Sequence, residues 1–468
     1  MNNKKRPSKT GKMAYNLALL LSAGIIAVIF LYLMVFSLFF KRTETSAYDK
    51  ELTSMPEFTL DNLFSGNYTN QLSKYFTDTI HNRDEFRREA SRIKSYYGIE
   101  QEEDIYGGSS EPDEASEPEI SDVSEEPSVD VSTDTSDIVS HDESASAVEE
   151  SSEPIEETSS TAPKEEEIID SIVVLGKGSS VRAMEVFYYS EKACLTFAER
   201  INTFAAKVKG VNVYSMIIPK QCAFYIKDSK KYGSLWDQSL KADTTIKNAL
   251  NSVTYVDAYH ALEKHTSEEI YARTDHHWTG LGAFYAAEEF AKTAGVTFAS
   301  IDQYDLKRRE GYVGTMYNFT NHNSKLLNNP EDFITLVPNV SHTADFYDKN
   351  YNFVTEHDIF WYVSDQYKSG WYSTFLGNDE YMVRIKSSVC NNGRKLFIIK
   401  DSYGNALSPL FLSSFEEIYI ADLRYMNVNA IDFINNHGIT DVLFAMCSYS
   451  AVNDSISSRI DTITTLGK

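Results

Sequence analysis

The segment TDHHWTGLGAFYAA, residues 274–287, sets an aspartate, two adjacent histidines and a tryptophan directly before a run of small residues with helical character. A carboxylate two positions before a histidine, in extended or turn backbone, can lie on the same side of the chain and hold the imidazole Nδ1–H, leaving Nε2 to take a proton. Asp275 and His277 have that spacing. Adjacent residues cannot both point at one nucleophile, so the Asp-x-His arrangement selects His277 as the base. His276 is left to contact substrate, to support its neighbours or to fill structure. The nucleophile is offered by KLFIIKDSYGNALSPLF, residues 395–411, where an apolar strand from Leu396 to Ile399 breaks at Asp401-Ser402 and re-emerges as a helix. Ser402 then sits at the carboxyl end of a strand, where parallel α/β sheets bind ligands. The helix-start amides of Ser402 and Tyr403 are the expected donors to an oxyanion.

Plainer readings stand beside this one. Ser402 or Asp401 can simply cap the helix, as serine and aspartate commonly do. Asp275, His276 and His277 could bind a metal with His260 or His265, but adjacent histidines are an awkward pair for one ion, and neither H-E-x-x-H nor a cysteine partner is present. No metal or other cofactor is expected. The segment could also be packing alone, the role expected of Trp278, Phe284 and Tyr285. Thr279 is the expected cap of the following helix, with Gly280, Gly282 and Ala283 allowing close approach to a sheet.

The elements around these segments define the fold class. From Ile168 onward β-branched runs alternate with helix-like stretches: SIVVLG, a periodic segment through Lys207, VNVYSMIIP, another helix, VTYVDAY, then the histidine segment. KLFIIK, EEIYIAD and DVLFAMC follow, again separated by helical stretches. Strands separated by ~10–20 helical residues predict an α/β domain with a mostly parallel sheet covered on both faces. Residues 306–392, rich in Asn, Asp and Tyr, read as an irregular insertion around the site.

The rest of the chain divides by composition. Leu17 to Phe40 is an uncharged apolar run, roughly 36 Å long as a helix, enough to span a bilayer. Lys4, Lys5, Arg6, Lys9 and Lys12 precede it, which places residues 1–16 in the cytoplasm and everything after residue 42 outside. The run is longer than a signal-peptide core and no small-x-small cleavage site follows, so a single-pass anchor in the cell membrane is expected. Residues 41–99 should form the N-terminal part of the extracellular domain. Residues 100–167 hold 25 acidic residues against one basic one, Lys164, and so carry the whole formal charge of −24. Such a stretch cannot bury enough apolar area to fold and is expected to be a disordered insertion. Residues 168–468 then form the catalytic domain. They share no charge bias with the insertion, and no nucleic-acid partner is expected. Cys194, Cys222, Cys390 and Cys447 show no metal-ligand spacing and are assigned no disulfide.

YARTDHHWTGLGAFYAA and IIKDSYGNALSPLF closely resemble the signature segments of the DHHW-motif proteins, a bacterial cell-surface family similar to the SGNH-hydrolase-like alginate O-acetylation proteins of the J and X type. SMIIPKQCAFY and IYIADLRYMN share that texture, and the resemblance runs over residues 51–98 and 168–450. It implies a three-layer SGNH-like fold and a Ser-His-Asp triad of Asp275, His277 and Ser402. It also implies O-acetyl transfer or ester hydrolysis on a cell-surface or exported carbohydrate polymer, beside a multi-spanning membrane O-acyltransferase. The usual SGNH order is reversed here, and Gly377-Asn378-Asp379 is only superficially like the asparagine block. Asn378, Tyr403, His276 and Arg273 are the candidates for oxyanion or substrate contacts. The rival expectation is an inactive carbohydrate-binding or envelope-assembly protein, whose aromatic residues 345–381 would stack on sugar rings.

Overall fold

Along the strand Lys395–Lys400 successive side chains enter two separate cores, Leu396 and Ile398 in one and Phe397 and Ile399 in the other. Alternation sends neighbours to opposite faces of a sheet, so a strand apolar at each position must be covered on both sides. The computed structural model describes residues 171–467 continuously, with the strand 103–107 and scattered positions between 24 and 75.

In chain order the main elements are β1 (Glu103–Gly107), β2 (Ser171–Leu175), β3 (Arg182–Glu185), α1 (Glu191–Lys207), β4 (Asn212–Ile218), α2 (Gln238–Ala249) and β5 (Thr254–Val256). They continue with α3 (Ala258–Glu263), α4 (Gly280–Ala294), β6 (Tyr304–Tyr312), β7 (Glu331–Pro338), β8 (His342–Tyr347), β9 (Phe353–Glu356) and β10 (Met382–Ser387). The last are β11 (Lys395–Lys400), α5 (Tyr403–Leu407), β12 (Glu417–Asp422), α6 (Ala430–His437) and β13 (Asp441–Cys447).

An eight-stranded sheet of order β5-β4-β13-β11-β12-β10-β8-β9 forms the centre. The pairs from β5 through β12 are parallel. Those from β12 through β9 are antiparallel. Helices α1, α2 and α6 bury their apolar stripes with Phe397 and Ile399. On the other face α3, α4 and α5 pack with Leu396 and Ile398. The result is a mixed α/β fold with helices on both faces of a large sheet. Ser402 lies just beyond the carboxyl end of the central strand β11.

Several expectations need correction. Four of the seven pairings in the sheet are parallel, and residues 306–392 are not irregular: they supply the antiparallel strands β8, β9 and β10 to one side of it and most of the antiparallel β6-β7 pair beside it. SIVVLG is not a parallel strand. β2 pairs antiparallel with β1 and β3 in a separate three-stranded sheet. The chain returns from β2 to β3 through a short turn, with Gly176 and Gly178 at positive φ, and a parallel crossover needs a dozen or more residues. β1 also falls inside the stretch expected to be disordered from residue 100; the rest of that stretch, residues 100–102 and 108–167, lies outside the described residues. The apolar run 17–40 lies outside them as well, apart from Gly24. Among the described residues no helix is long and apolar enough to cross a membrane. Cys194, Cys222, Cys390 and Cys447 are buried free thiols.

Candidate active site

The histidine segment is a closed loop. Tyr271 and Trp278 form an antiparallel bridge, flanked by hydrogen bonds from Ala272 N–H to His277 O (3.2 Å) and from Thr279 N–H to Ile270 O (3.1 Å). Thr279 Oγ1 accepts the amides of Leu281 and Gly282, capping α4. A Cβ at Gly282 would lie 3.2 Å from Trp278 Cβ and closer still to the Ile270 carbonyl, so only glycine lets the helix start against the loop. Trp278 is buried and its Nε1–H donates to Tyr403 O at 3.0 Å, pinning the histidine loop to the serine turn.

Asp275, His277 and Ser402 meet at the tip. Asp275 Oδ1 accepts His277 Nδ1–H at 2.8 Å and the His277 amide at 3.0 Å. His277 Nε2 lies 2.7 Å from Ser402 Oγ. Asp275 Oδ2 accepts the Thr315 amide (2.8 Å) and hydroxyl (2.9 Å). All three side chains are buried. Burial disfavours charge on Asp275, but the neighbouring imidazoles and the Thr315 amide more than offset it and hold the carboxyl well below the usual range. An ionised carboxylate only accepts, so the proton of the Asp275–His277 bond sits on Nδ1 and Nε2 is the acceptor for the Ser402 hydroxyl.

Ser402 is not spent on capping α5. Its side chain makes no cap bond. Asp401 takes that place: Oδ1 accepts Tyr403 N–H at 3.1 Å and Oδ2 accepts Cys447 N–H at 2.7 Å, tying the turn to the end of β13. This corrects the expectation for the oxyanion donors. The Tyr403 amide is already committed to Asp401, whereas no hydrogen bond among the described residues claims the Ser402 N–H.

Below the turn, Lys400 is buried between Asp379 (2.7 Å) and Asp422 (2.9 Å), with Arg424 Nη2 on the same two carboxylates. Asp379 Oδ1 also accepts Asn405 Nδ2 (2.6 Å). Buried charges persist where they are paired and hydrogen-bonded. This group locks the strand that carries Ser402 to the loop at 377–381.

The remaining candidates fall elsewhere. Arg273 donates to the carbonyls of Val181 (2.9 Å) and Pro330 (3.2 Å), while Glu331 accepts the amides of Arg273 and Thr274. It braces the loop, with no hydrogen bond to Asp275, His277 or Ser402. Asn378 Oδ1 accepts Glu380 N–H in a local turn and likewise makes no hydrogen bond to the three. The aromatic stretch is mostly internal: Trp371, Tyr372 and Phe375 are buried, while Phe353 and Tyr362 are exposed. The ring of Tyr372 stacks on His277 at 3.7 Å with planes 2° apart, and its hydroxyl donates to Ser402 O at 3.1 Å. Tyr372 and Thr315 had no separate signal in the sequence, since both lie in the segment whose pattern was weakest. Asp275, His276 and His277 do bring donor atoms within 4.8 Å of one another. Most of those lone pairs are engaged by Thr315, Ser402 and each other.

His276 stands apart. Its Nδ1 lies 2.7 Å from Thr315 Oγ1, its carbonyl accepts the Tyr403 hydroxyl, and its ring lies 3.7 Å from that of His277. Burial, and then His277, push it down to about 3, so it is neutral at physiological pH. The unfolded chain takes up a proton near the ordinary value of 6.5 that the folded imidazole refuses. Stability from this group is therefore complete above pH 6.5 and is lost as pH falls toward 3, by at most about 5 kcal/mol. His276→Asn is expected to flatten the fall in melting temperature between pH 6.5 and 4.5. An unchanged slope would exclude His276 as the responsible group.

Gly314 sets the approach of Thr315 to Asp275. A Cβ there would lie 2.8 Å from Asp275 Cγ and nearer still to Cβ and Oδ2. Gly314→Ala is expected to displace the carboxylate and lower stability by about 1–3 kcal/mol. Thermal denaturation reads this directly, and a melting temperature equal to that of the wild type would show that the loop yields freely.

Comparisons with known proteins agree with this architecture. The chain is similar to the crystal structure of a DHHW family protein from Eubacterium siraeum, with 40% identity and a TM-score of 0.58, covering 64% of this chain and 96% of that one. It is also similar in fold to PatB1 from Bacillus cereus with a sulfonyl adduct, at 17% identity and a TM-score of 0.50, covering 62% and 99%. No curated protein matches it in sequence. The DHHW protein profile matches residues 48–421, and the chain belongs to that family.

Proposed function

We propose that the protein is an O-acyltransferase or esterase, with acetyl as its group, acting on a cell-surface or exported carbohydrate polymer. The observation that carries this reading is the unbroken hydrogen-bonded path from Asp275 through His277 to Ser402. In the proposed reaction Ser402 Oγ attacks the acyl carbonyl as its proton passes to His277 Nε2. Asp275 steadies the imidazolium, and the Ser402 N–H donates to the oxyanion. The donor oxygen leaves with the proton held by His277. A sugar hydroxyl then attacks the acyl-enzyme, gives its proton to His277 and frees Ser402. Water in place of the sugar makes the enzyme an esterase. The low exposure of Ser402, 7%, favours transfer by limiting access of water.

The apolar run 17–40 and its basic flank support a membrane anchor with the domain outside the cell. A multi-spanning membrane O-acyltransferase is the partner this arrangement calls for, since a buried serine outside the cell needs an acyl donor delivered there. The test is Ser402-dependent turnover by full-length protein of 4-nitrophenyl acetate, with soluble xylan as acceptor. Nitrophenol release and xylan acetylation above the Ser402→Ala background are expected. Equal release by both proteins would leave a binding or assembly protein as the better reading.

A further inference from the structure

The Thr315 hydroxyl has one proton. Asp275 Oδ2 is ionised and can only accept, so that proton lies on the 2.9 Å bond to it. Toward His276 Nδ1, 2.7 Å away, Thr315 Oγ1 can therefore only accept. His276 must carry its proton on Nδ1, which leaves the lone pair on Nε2. That atom has no hydrogen-bond partner among the described residues. The side chain keeps 17% of its surface exposed, and Nε2 is not among the enclosed polar atoms that lack partners. A fixed, neutral acceptor thus stands beside the imidazole that serves Ser402, ring against ring at 3.7 Å.

We propose that His276 Nε2 accepts a hydrogen bond from the hydroxyl next to the one that is acylated, making the site selective for vicinal diols. The inference rests on the acyl-transfer reading above. The attacking hydroxyl cannot serve both histidines, because its only proton goes to His277 and from there to Ser402 Oγ as the serine ester bond breaks and the new ester bond forms. The neighbouring hydroxyl of a sugar ring keeps its proton throughout and donates it to His276. His276 exchanges no proton and acts as a specificity residue. Carbohydrate polymers present such hydroxyl pairs; water and simple alcohols do not.

The test is the partition of one acyl-enzyme between two acceptors. Full-length protein is supplied with 4-nitrophenyl acetate and either ethylene glycol or 2-methoxyethanol, and the acetyl esters formed are measured against free acetate. Because each ratio is read from a common intermediate, changes in acylation rate cancel. The wild type is expected to favour ethylene glycol, corrected for its two hydroxyls, by about tenfold. His276→Asn, whose amide can keep the Thr315 bond but not reach the Nε2 position, should lose that preference. His276→Gln, whose longer amide can place an oxygen near that position, should retain part of it. A purely structural His276 gives the reverse order, with Asn behaving as wild type and Gln not, and that result overturns the proposal. So does a wild type with no preference. Absence of any Ser402-dependent acyl-enzyme removes the acyl-transfer reading as well, whereas turnover without diol preference removes this inference alone.

Discussion

Ser402→Ala is expected to abolish acyl turnover, by roughly 10⁴-fold or more, while leaving the fold nearly as stable as before. The two halves of that expectation have different origins. Loss of the nucleophile removes the covalent path, and what remains is binding and oxyanion stabilisation. Stability is spared because, among the described residues, Ser402 Oγ bonds only to His277, whereas the turn is held by Asp401 on the amides of Tyr403 and Cys447. One lost hydrogen bond costs about 1 kcal/mol. Asp401→Ala supplies the contrast, since it leaves two buried amides unpaired and should lower the melting temperature far more. Steady-state rates and calorimetry on the two variants read both effects. A Ser402→Ala protein that unfolds as readily as Asp401→Ala would mean that the hydroxyl is structural.

Asp275→Asn is expected to lower turnover by about 10⁴-fold and also to destabilise the protein by about 1–3 kcal/mol. Four donors converge on the carboxylate, two on each oxygen: the amide and Nδ1–H of His277, and the amide and hydroxyl of Thr315. Asparagine has one acceptor oxygen, so its NH₂ must face a backbone N–H on one side or the other. If it faces His277, it also drives the imidazole to the tautomer protonated on Nε2, which cannot accept from Ser402. Asp275→Glu is a useful companion, because it keeps the charge but overfills the space bounded by Gly314. Kinetics together with melting curves separate the electrostatic effect from the steric one. Near-wild-type rates for Asp275→Asn would show that His277 does not depend on the carboxylate.

The sequence made the central pieces visible for physical reasons. β4, β11, β12 and β13 are buried on both faces, so their apolar runs stand out, and Asp-x-His spacing and a strand-end serine are local signals. β8 and β10, in the antiparallel half of the sheet, carry His, Thr, Asp, Arg and Lys, and their half-polar alternation gives no continuous apolar run. The residues that complete the site came from that same stretch and its neighbours. Thr315 buffers Asp275, Tyr372 covers His277, and Gly314 makes room, yet each is linked to the triad only through tertiary contact. Asn378 stands in a short Gly-Asn-Asp motif, while the ion-paired residue is its neighbour Asp379. Lys400 closes an apolar strand and so needs buried partners, which Asp379 and Asp422 provide.

The central claim is that His277 activates Ser402. Treating full-length protein with phenylmethanesulfonyl fluoride and mapping the adduct by peptide mass spectrometry tests it most directly. A sulfonyl ester on Ser402 in the wild type, absent or slowed by orders of magnitude in His277→Ala, is the expected result. An unmodified Ser402, or labelling that proceeds equally well without His277, would contradict it.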